Sequence, residues 1–453
     1  MEKTEYKGSW WLPEKPSTII TGSLQFEANG RMTLELLGAL TDAKQPRPQS
    51  VPLILGKSTE GESITLYGCI QTNTSFGIEG VRTSTFYVVG VLIGAYFQRP
   101  ESIVFGSIAV TFPQLDNWIG ASGAGVDFPD RQTLVITKKS SPLVTAALRD
   151  AKISIAFQFA EYIGNDAISV KYVPSITIEM TNEIQLRKLL DLLYHLRNFF
   201  ALAVCHPVYP ESIDGFTEAQ RVILPDGKSY RPPIKIVYHG VNWGVPHESV
   251  NIRGMLFELG AVRGEFESLL KNWFDKTQLL EPVFDMYFGT MYNPGMYLQH
   301  KLLSLVQCVE SYHRRALRNC ELPPDQAEKR IQDILKAAPD EYKEWLKNKL
   351  RYSNELTLRK RLQELVSAYS FLEFDDGDQF IDDVINTRNY LTHYDEDLKE
   401  LAANPEKLSR LAMRLSVLTE AILLTELGLL PDKVKSIMER IGEIRSELRS
   451  YDF

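Results

Sequence analysis

The sequence predicts an α+β protein of two domains: an antiparallel β-rich, sandwich- or barrel-like domain over residues 1–250 and an all-α bundle over 253–453. Three observations carry this. Apolar residues recur at every second position through residues 1–180, and at every third or fourth position after 253. Between the two periods, residues 207–250 are rich in Pro, Gly and polar side chains, as a linker or closing segment is. A period of two buries one face of a strand, and a period near 3.6 buries one stripe of a helix.

Each element follows from its own pattern. SLQF places Leu24 and Phe26 on one face, Asn29-Gly30 supplies a turn whose residues tolerate positive φ, and Met32, Leu34 and Leu36 resume the alternation. FYVVGVLIGAYF, residues 86–97, is apolar at successive positions and predicts a central strand covered on both faces. Ile153, Ile155, Phe157 and Phe159, then Ile176, Ile178 and Met180, alternate again. Residues 182–204 break the alternation with a helical stripe, Leu189, Leu193, Leu196 and Phe200, expected to lie on the sheet. IKIVYH, residues 234–239, reads as one more strand. In the second half, Leu302, Leu305, Val309 and His313 share a stripe, and Asn404-Pro405 reads as an N-cap followed by proline at the first helical position. Leu408, Leu411, Leu415, Leu418 and Ile422 continue that helix, and Val434, Ile437 and Ile441 mark another after Gly428.

Composition narrows the function. A net charge of −8 disfavours indiscriminate binding to DNA or membranes, though not a local basic pocket. The four cysteines, Cys69, Cys205, Cys308 and Cys320, form no CxxC and read as buried thiols of a reducing compartment, not as a disulfide framework or zinc site. No cofactor and no metal is expected: GASGAG (120–125) lacks the strand–helix setting of a phosphate loop, and the acidic run Glu373, Asp375, Asp376, Asp378, Asp382 and Asp383 reads as a loop and helix start. The N-terminal MEKTEYKGSWWLPEK lacks the apolar core of a signal peptide, and no apolar run nears the ~20 residues that span a bilayer. A cytoplasmic protein without membrane contact is expected.

One stretch stands out chemically. TRNYLTHYDE, residues 387–396, puts Arg388 on the apolar stripe after Val384 and Ile385, and sets Asn389 and His393 one turn apart near the helix end. A guanidinium is always charged, so on a buried stripe it needs an acidic partner or a polar cavity. Glu310 interrupts the stripe of Leu303, Val306 and His313 in the same way and is the expected partner. The plain alternative is a satisfied histidine capping a helix end. Two basic runs, Arg314-Arg315 and Lys347, Lys349, Arg351, Arg359, Lys360, Arg361, could follow phosphates or could be solvated helix faces.

RNYLTH resembles the R-x4–6-H motif of the HEPN superfamily, all-α domains many of which are metal-independent ribonucleases, with Asn389 at the position after the arginine. GSWWLPEKPSTIITGSLQFEANGRMTLELLG resembles the opening of the β-rich N-terminal domain of ApeA-type anti-phage proteins, which carry a C-terminal HEPN domain, so the resemblance spans nearly the whole chain. It implies endonucleolytic RNA cleavage causing abortive infection, regulated by the N-terminal domain and set off by a phage-derived trigger, with tRNA one plausible substrate. Arg388, Asn389 and His393 would be the catalytic residues, with Glu310 supporting them and the basic runs contacting RNA. It further implies a homodimer with a composite active site. The alternative of another class is a catalytically silent HEPN dimerisation or binding module beside a ligand-recognising β domain.

Overall fold

The computed structural model describes residues 5–27, 30–41, 49–76, 82–138, 142–164, 168–239, 252–374 and 377–449. The turn residue Asn29, the carboxylates Asp375 and Asp376 and the linker stretch 240–251 lie outside these. The chain divides into two compact units, Met1–Lys271 and Asn272–Phe453. The division falls after the 250–253 read from the sequence. Residues 252–271 pack with the first unit because the Phe257 N–H donates to the Ala203 carbonyl (3.3 Å) and the Phe266 ring lies against Trp118.

The first unit is built on one antiparallel sheet that closes over half its width. Its strands are β1 (Glu5–Leu12), β2 (Lys15–Phe26), β3 (Met32–Leu36), β4 (Gln49–Ser58), β5 (Ser63–Phe76), β6 (Arg82–Ile93) and β7 (Val104–Thr111). A short helix α1 (Leu115–Ile119) and a hairpin of β8 (Ala124–Asp127) and β9 (Val135–Lys138) follow. Then come β10 (Val144–Ala147), β11 (Ala151–Ile163), β12 (Ile168–Gln185), α2 (Leu186–Val204), β13 (Ser212–Phe216), the hairpin β14 (Val222–Ile223) and β15 (Ser229–Tyr230), and β16 (Ile234–Tyr238). The order β6-β3-β2-β1-β4-β5 closes through β5–β6 pairing into a six-stranded barrel. The N-terminal part of β6 pairs with β3 at 84–88, and its end pairs with β16 at 90–93, so one strand serves both the barrel and the open sheet β16-β13-β7-β12-β11-β10.

The alternation read from the sequence is the register seen. Leu24 faces Leu34 across β2–β3, and Ile153 and Ile155 face Ile178 and Ile176 across β11–β12, all buried. β6 is paired along both edges, but only its last turn of residues is buried on both faces: Val89 remains 41% exposed. The helix expected over 182–204 starts at Leu186, because 182–185 are spent completing β12, whose Ile184 and Gln185 pair with Phe105 and Val104 of β7. It lies on the sheet through β7 and β12. β16, read as part of a closing segment, is the strand that joins barrel to sheet.

Trp10 is fully buried in the barrel and sits opposite Gly56 of β4. A Cβ at Gly56 would lie 2.2 Å from the indole ring, so the glycine is a packing requirement. Gly56→Ala should therefore destabilise the barrel by about 1–3 kcal/mol, seen as a lower denaturation midpoint with an unchanged slope.

The second unit is all helical after α3 (Leu259–Val262) and α4 (Phe266–Asp275), within which the division falls. Its helices are α5 (Thr277–Met291), α6 (Leu298–Tyr312), α7 (Pro324–Ala337), α8 (Asp340–Leu350), α9 (Leu358–Ala368), α10 (Gly377–His393), α11 (Pro405–Glu426) and α12 (Pro431–Arg449). α6 is central, packed on α5, α9, α10 and α11. Asn404 caps α11 as expected, its Oδ1 accepting from the Lys407 N–H at 2.9 Å, with Pro405 at the first helical position. None of the four cysteines forms a disulfide, but the reading that all four are buried fails at Cys320, which is exposed beside the base of the α7–α8 pair, and at Cys205, which is half-buried. Cys308 fits it: burial pushes its thiol up to about 12.

Candidate active site

α10 ends at His393, after which Tyr394 turns the chain through a left-handed conformation (φ 51°). Asp378 in its first turn and His393 in its last suit the helix dipole. Phe380, Ile381, Val384 and Thr387 form its buried face. The Thr387 hydroxyl oxygen accepts from the Ala403 N–H at 3.0 Å, which ties the returning chain to the helix just before the motif.

Arg388 and Thr392, one turn apart, line an open cleft of ≈ 390 Å³ whose opposite wall is the α6 face bearing Val306, Glu310 and Arg314. Arg388 is half-buried and its Nη1 donates to the Asn389 Oδ1 at 3.0 Å. Among the described residues no other acceptor engages its side chain, which leaves most of its five-donor fork available in the cleft. Asn389 and His393 occupy the neighbouring helical face; His393 is exposed and has no hydrogen-bond partner among the described residues. Glu310 faces the same cleft as Arg388, yet the expected ion pair between them does not form. Glu310 instead pairs with Arg314 at 3.2 Å, one turn along its own helix, and Arg388 takes Asn389.

Beside the cleft lies a polar network that the sequence did not reveal. α6 continues into a π-helical turn, His313–Leu317, that seats His313 in full burial. Arg361 of α9, 2% exposed, donates from Nη1 to His313 Nδ1 (3.1 Å) and from Nε to the Leu356 carbonyl (3.0 Å), and pairs with Glu355 (3.4 Å). Arginine offers no acceptor, so Nδ1 must accept and the Nε2–H donates to Glu364 at 2.8 Å. Glu355 also meets Arg314 at 2.9 Å, linking this network to the cleft wall.

The Glu364 carboxyl is held below its ordinary value, first by the Asn319 amide (2.7 Å), against partial desolvation, then by His313 and Arg361. A carboxyl lowered in the folded state stabilises the fold above its unfolded value and loses that contribution as pH falls through its folded one. Glu364→Gln should thus lower the melting temperature at pH 7, and the gap to the parent should close as pH drops through the carboxylate range.

The cations expected to contact RNA separate into two groups. Arg361 is corrected outright: it is buried and structural. Arg314 pairs with Glu310 and Glu355, Arg359 with Asp382, and Lys360 with Glu321, while Arg315 donates to the Leu279 and Gln278 carbonyls. Lys347, Lys349 and Arg351 are exposed and have no acidic partner among the described residues. Of the acidic run, Asp382 serves Arg359 and Asp383 serves Lys407 (2.8 Å), so these carboxylates are spent in ion pairs. Among the described residues no group of three or more His, Cys, Asp and Glu is placed to hold a metal.

The first unit holds a cavity of ≈ 640 Å³ between its barrel strands, β16 and α2. Ile103 and Leu190 line it with Arg187 and Asp191, and Tyr67 and Tyr238 flank Gly90 from either side strand. A Cβ at Gly90 would fall 2.1 Å from the Tyr67 ring. Burial pushes the Tyr67 phenol up, with Tyr238 adding to it. Tyr67 and Tyr238 sit in strands, Ile103 just before β7, and Arg187, Leu190 and Asp191 on α2, so no local motif marked the cavity.

A six-stranded barrel running into an open sheet, followed by a helical bundle in which one helix ends in Arg-Asn-x3-His, defines a two-domain protein, β-rich and then all-α. Residues 5–273 match the family model for ApeA N-terminal domain 1 and residues 303–433 that for Apea-like HEPN. The chain belongs to the ApeA family, with the ApeA-type architecture. No curated protein and no solved structure gives a match. No helix among the described residues is long and apolar enough to cross a membrane.

Proposed function

We propose that this protein is an anti-phage ribonuclease whose HEPN domain cuts RNA without a metal, under control of the N-terminal domain. The observation that carries the reading is the end of α10: a guanidinium with free donors in a cleft, steadied by Asn389, next to an exposed His393 that has no hydrogen-bond partner among the described residues. Imidazole titrates near neutrality and suits either removal of the ribose 2′-OH proton or protonation of the leaving 5′-oxygen. Arg388 offers the parallel donors that a phosphorane's oxygens accept, so it stabilises charge as it develops. Attack by the 2′-oxygen forms a bond to phosphorus and breaks the bond to the 5′-oxygen, leaving a 2′,3′-cyclic phosphate and a 5′-hydroxyl.

One chain supplies one histidine where the reaction uses an acid and a base. A homodimer that brings two α10 ends together completes the site, which fits the exposure of His393. The tyrosine-lined cavity of the first unit suits the sensing of a trigger, and degradation of cellular RNA would then halt growth in abortive infection. Expression of the parent, Arg388→Ala and His393→Ala chains during phage challenge tests this. Growth arrest with fragmented RNA is expected of the parent only; intact RNA in all three under activating conditions contradicts nuclease action and favours a binding module.

A further inference from the structure

α7 and α8 form an arm whose base is closed and whose tip carries few buried residues. Asn354 clamps the base from both sides of a peptide segment, its Oδ1 accepting from the Leu322 N–H and its Nδ2 donating to the Leu322 carbonyl, each at 2.9 Å. The Glu321 N–H also donates to the Asn354 carbonyl (3.1 Å). Between these points only Ala327 of α7 is buried, and no residue of α8 is. Leu346 and Leu350 turn one half-buried face of α8 inward.

An adjoining, solvent-exposed stripe repeats at i, i+3, i+7 and i+10 as Tyr342, Trp345, Lys349 and Tyr352, running past the helix end. Trp345 is 60% exposed, Tyr352 64% and Tyr342 53%. Large aromatic surfaces left in water on one stripe mark a binding surface rather than a solvated one. Lys349 lies within this stripe and the Arg351 guanidinium lies over the Tyr352 ring at 5.5 Å, and neither cation has an acidic partner among the described residues. WLKNKLRY, residues 345–352, holds no acid.

We propose that this face of the α7–α8 arm binds unpaired RNA, with bases stacking on Trp345 and Tyr352 and phosphates on Lys349 and Arg351. The assignment rests on the ribonuclease reading for its ligand class, and it names which form of RNA the protein takes. Aromatic faces stack on any base that is not already paired, and unneutralised cations beside them follow the backbone. A protein partner fits less well, because lysine is depleted from the cores of such interfaces. Duplex RNA fits less well too, since its bases are already stacked on one another and offer no free face.

The full chain with His393→Ala, so that substrate survives, is titrated into a fluorescein-labelled 20-mer of oligouridine while anisotropy is followed at several salt concentrations. Trp345→Ala and Tyr352→Ala should each weaken binding by about 5- to 100-fold. Lys349→Ala and Arg351→Ala should each flatten the slope of log affinity against log salt by about 0.7. Lys188→Ala, on α2, should leave binding unchanged, and unlabelled duplex RNA should compete poorly. All four replaced side chains of the arm are exposed, so the melting temperature should hold and separate lost binding from lost folding. Equal binding by the aromatic variants, no measurable binding by the parent, or equal competition by duplex RNA each overturns the proposal. A shift from dimer to monomer in sedimentation on replacing Trp345 overturns it in favour of a chain–chain contact. Stripe-dependent binding with no cleavage by the wild-type chain would sink the nuclease reading and leave this one standing; cleavage with stripe-independent binding does the reverse.

Discussion

His393→Ala is expected to cut the rate of RNA cleavage by about 10²–10⁴-fold, the range that a positioned general acid or base contributes. The fold should not notice. His393 is exposed and makes no hydrogen bond among the described residues, so its removal should change stability by no more than about 0.5 kcal/mol. That separation is what makes the variant informative. A capping or packing histidine would show the opposite pattern, with stability falling and any activity loss following from it. Arg388→Ala should lose a similar share of activity, and Arg388→Lys should recover little, since an ammonium cannot present two parallel donors. The Arg388 variants are less clean, because the half-buried arginine also fills the wall of the cleft and holds Asn389.

Arg361→Ala is expected to destabilise the helical unit by about 3–5 kcal/mol, the cost of breaking a buried charged network from one side. The substitution strips donors from the His313 Nδ1 and the Leu356 carbonyl and removes one of the two arginines that face Glu355. Against a typical stability of about 5–15 kcal/mol for a domain, such a loss is a large fraction of the whole. Arg361→Lys should rescue only part of it, because one ammonium does not replace a fork serving three acceptors. Thermal or urea denaturation of the full chain measures this. A melting temperature within a degree or two of the parent would mean that the network is incidental to the fold. Arg314 shares Glu355 with Arg361, so the variant should also loosen the cleft wall opposite Arg388.

These two residues also show where the sequence was readable and where it was not. Alternation located the buried sides of β2, β3, β11 and β12, and cap chemistry located the start of α11, because those signals are local. Barrel closure was not local: it depends on β5 and β6 pairing along their whole length while β6 changes partners from β3 to β16. The helical phase of Arg388 correctly called for a partner or a polar cavity, and the cavity exists. The identity of the partner was missed because periodicity reports which way a side chain faces and not which residue meets it. Glu310 found Arg314 one turn away, ahead of Arg388 on another helix. His313 looked like one more member of an apolar stripe, and its partner Arg361, 48 residues on, looked like one more surface cation. The tyrosine-lined cavity drew no signal at all, since strands and a helix far apart in sequence assemble it.

The central claim is that Arg388, Asn389 and His393 break RNA through the ribose 2′-oxygen with no metal ion. The most direct test is the chemistry of the fragment ends produced by the purified, activated protein in excess EDTA. The account predicts fragments ending in 2′,3′-cyclic phosphate with 5′-hydroxyls on their neighbours, and none from the His393→Ala chain. Fragments with 5′-phosphates, or cleavage that stops when EDTA is added, would contradict it.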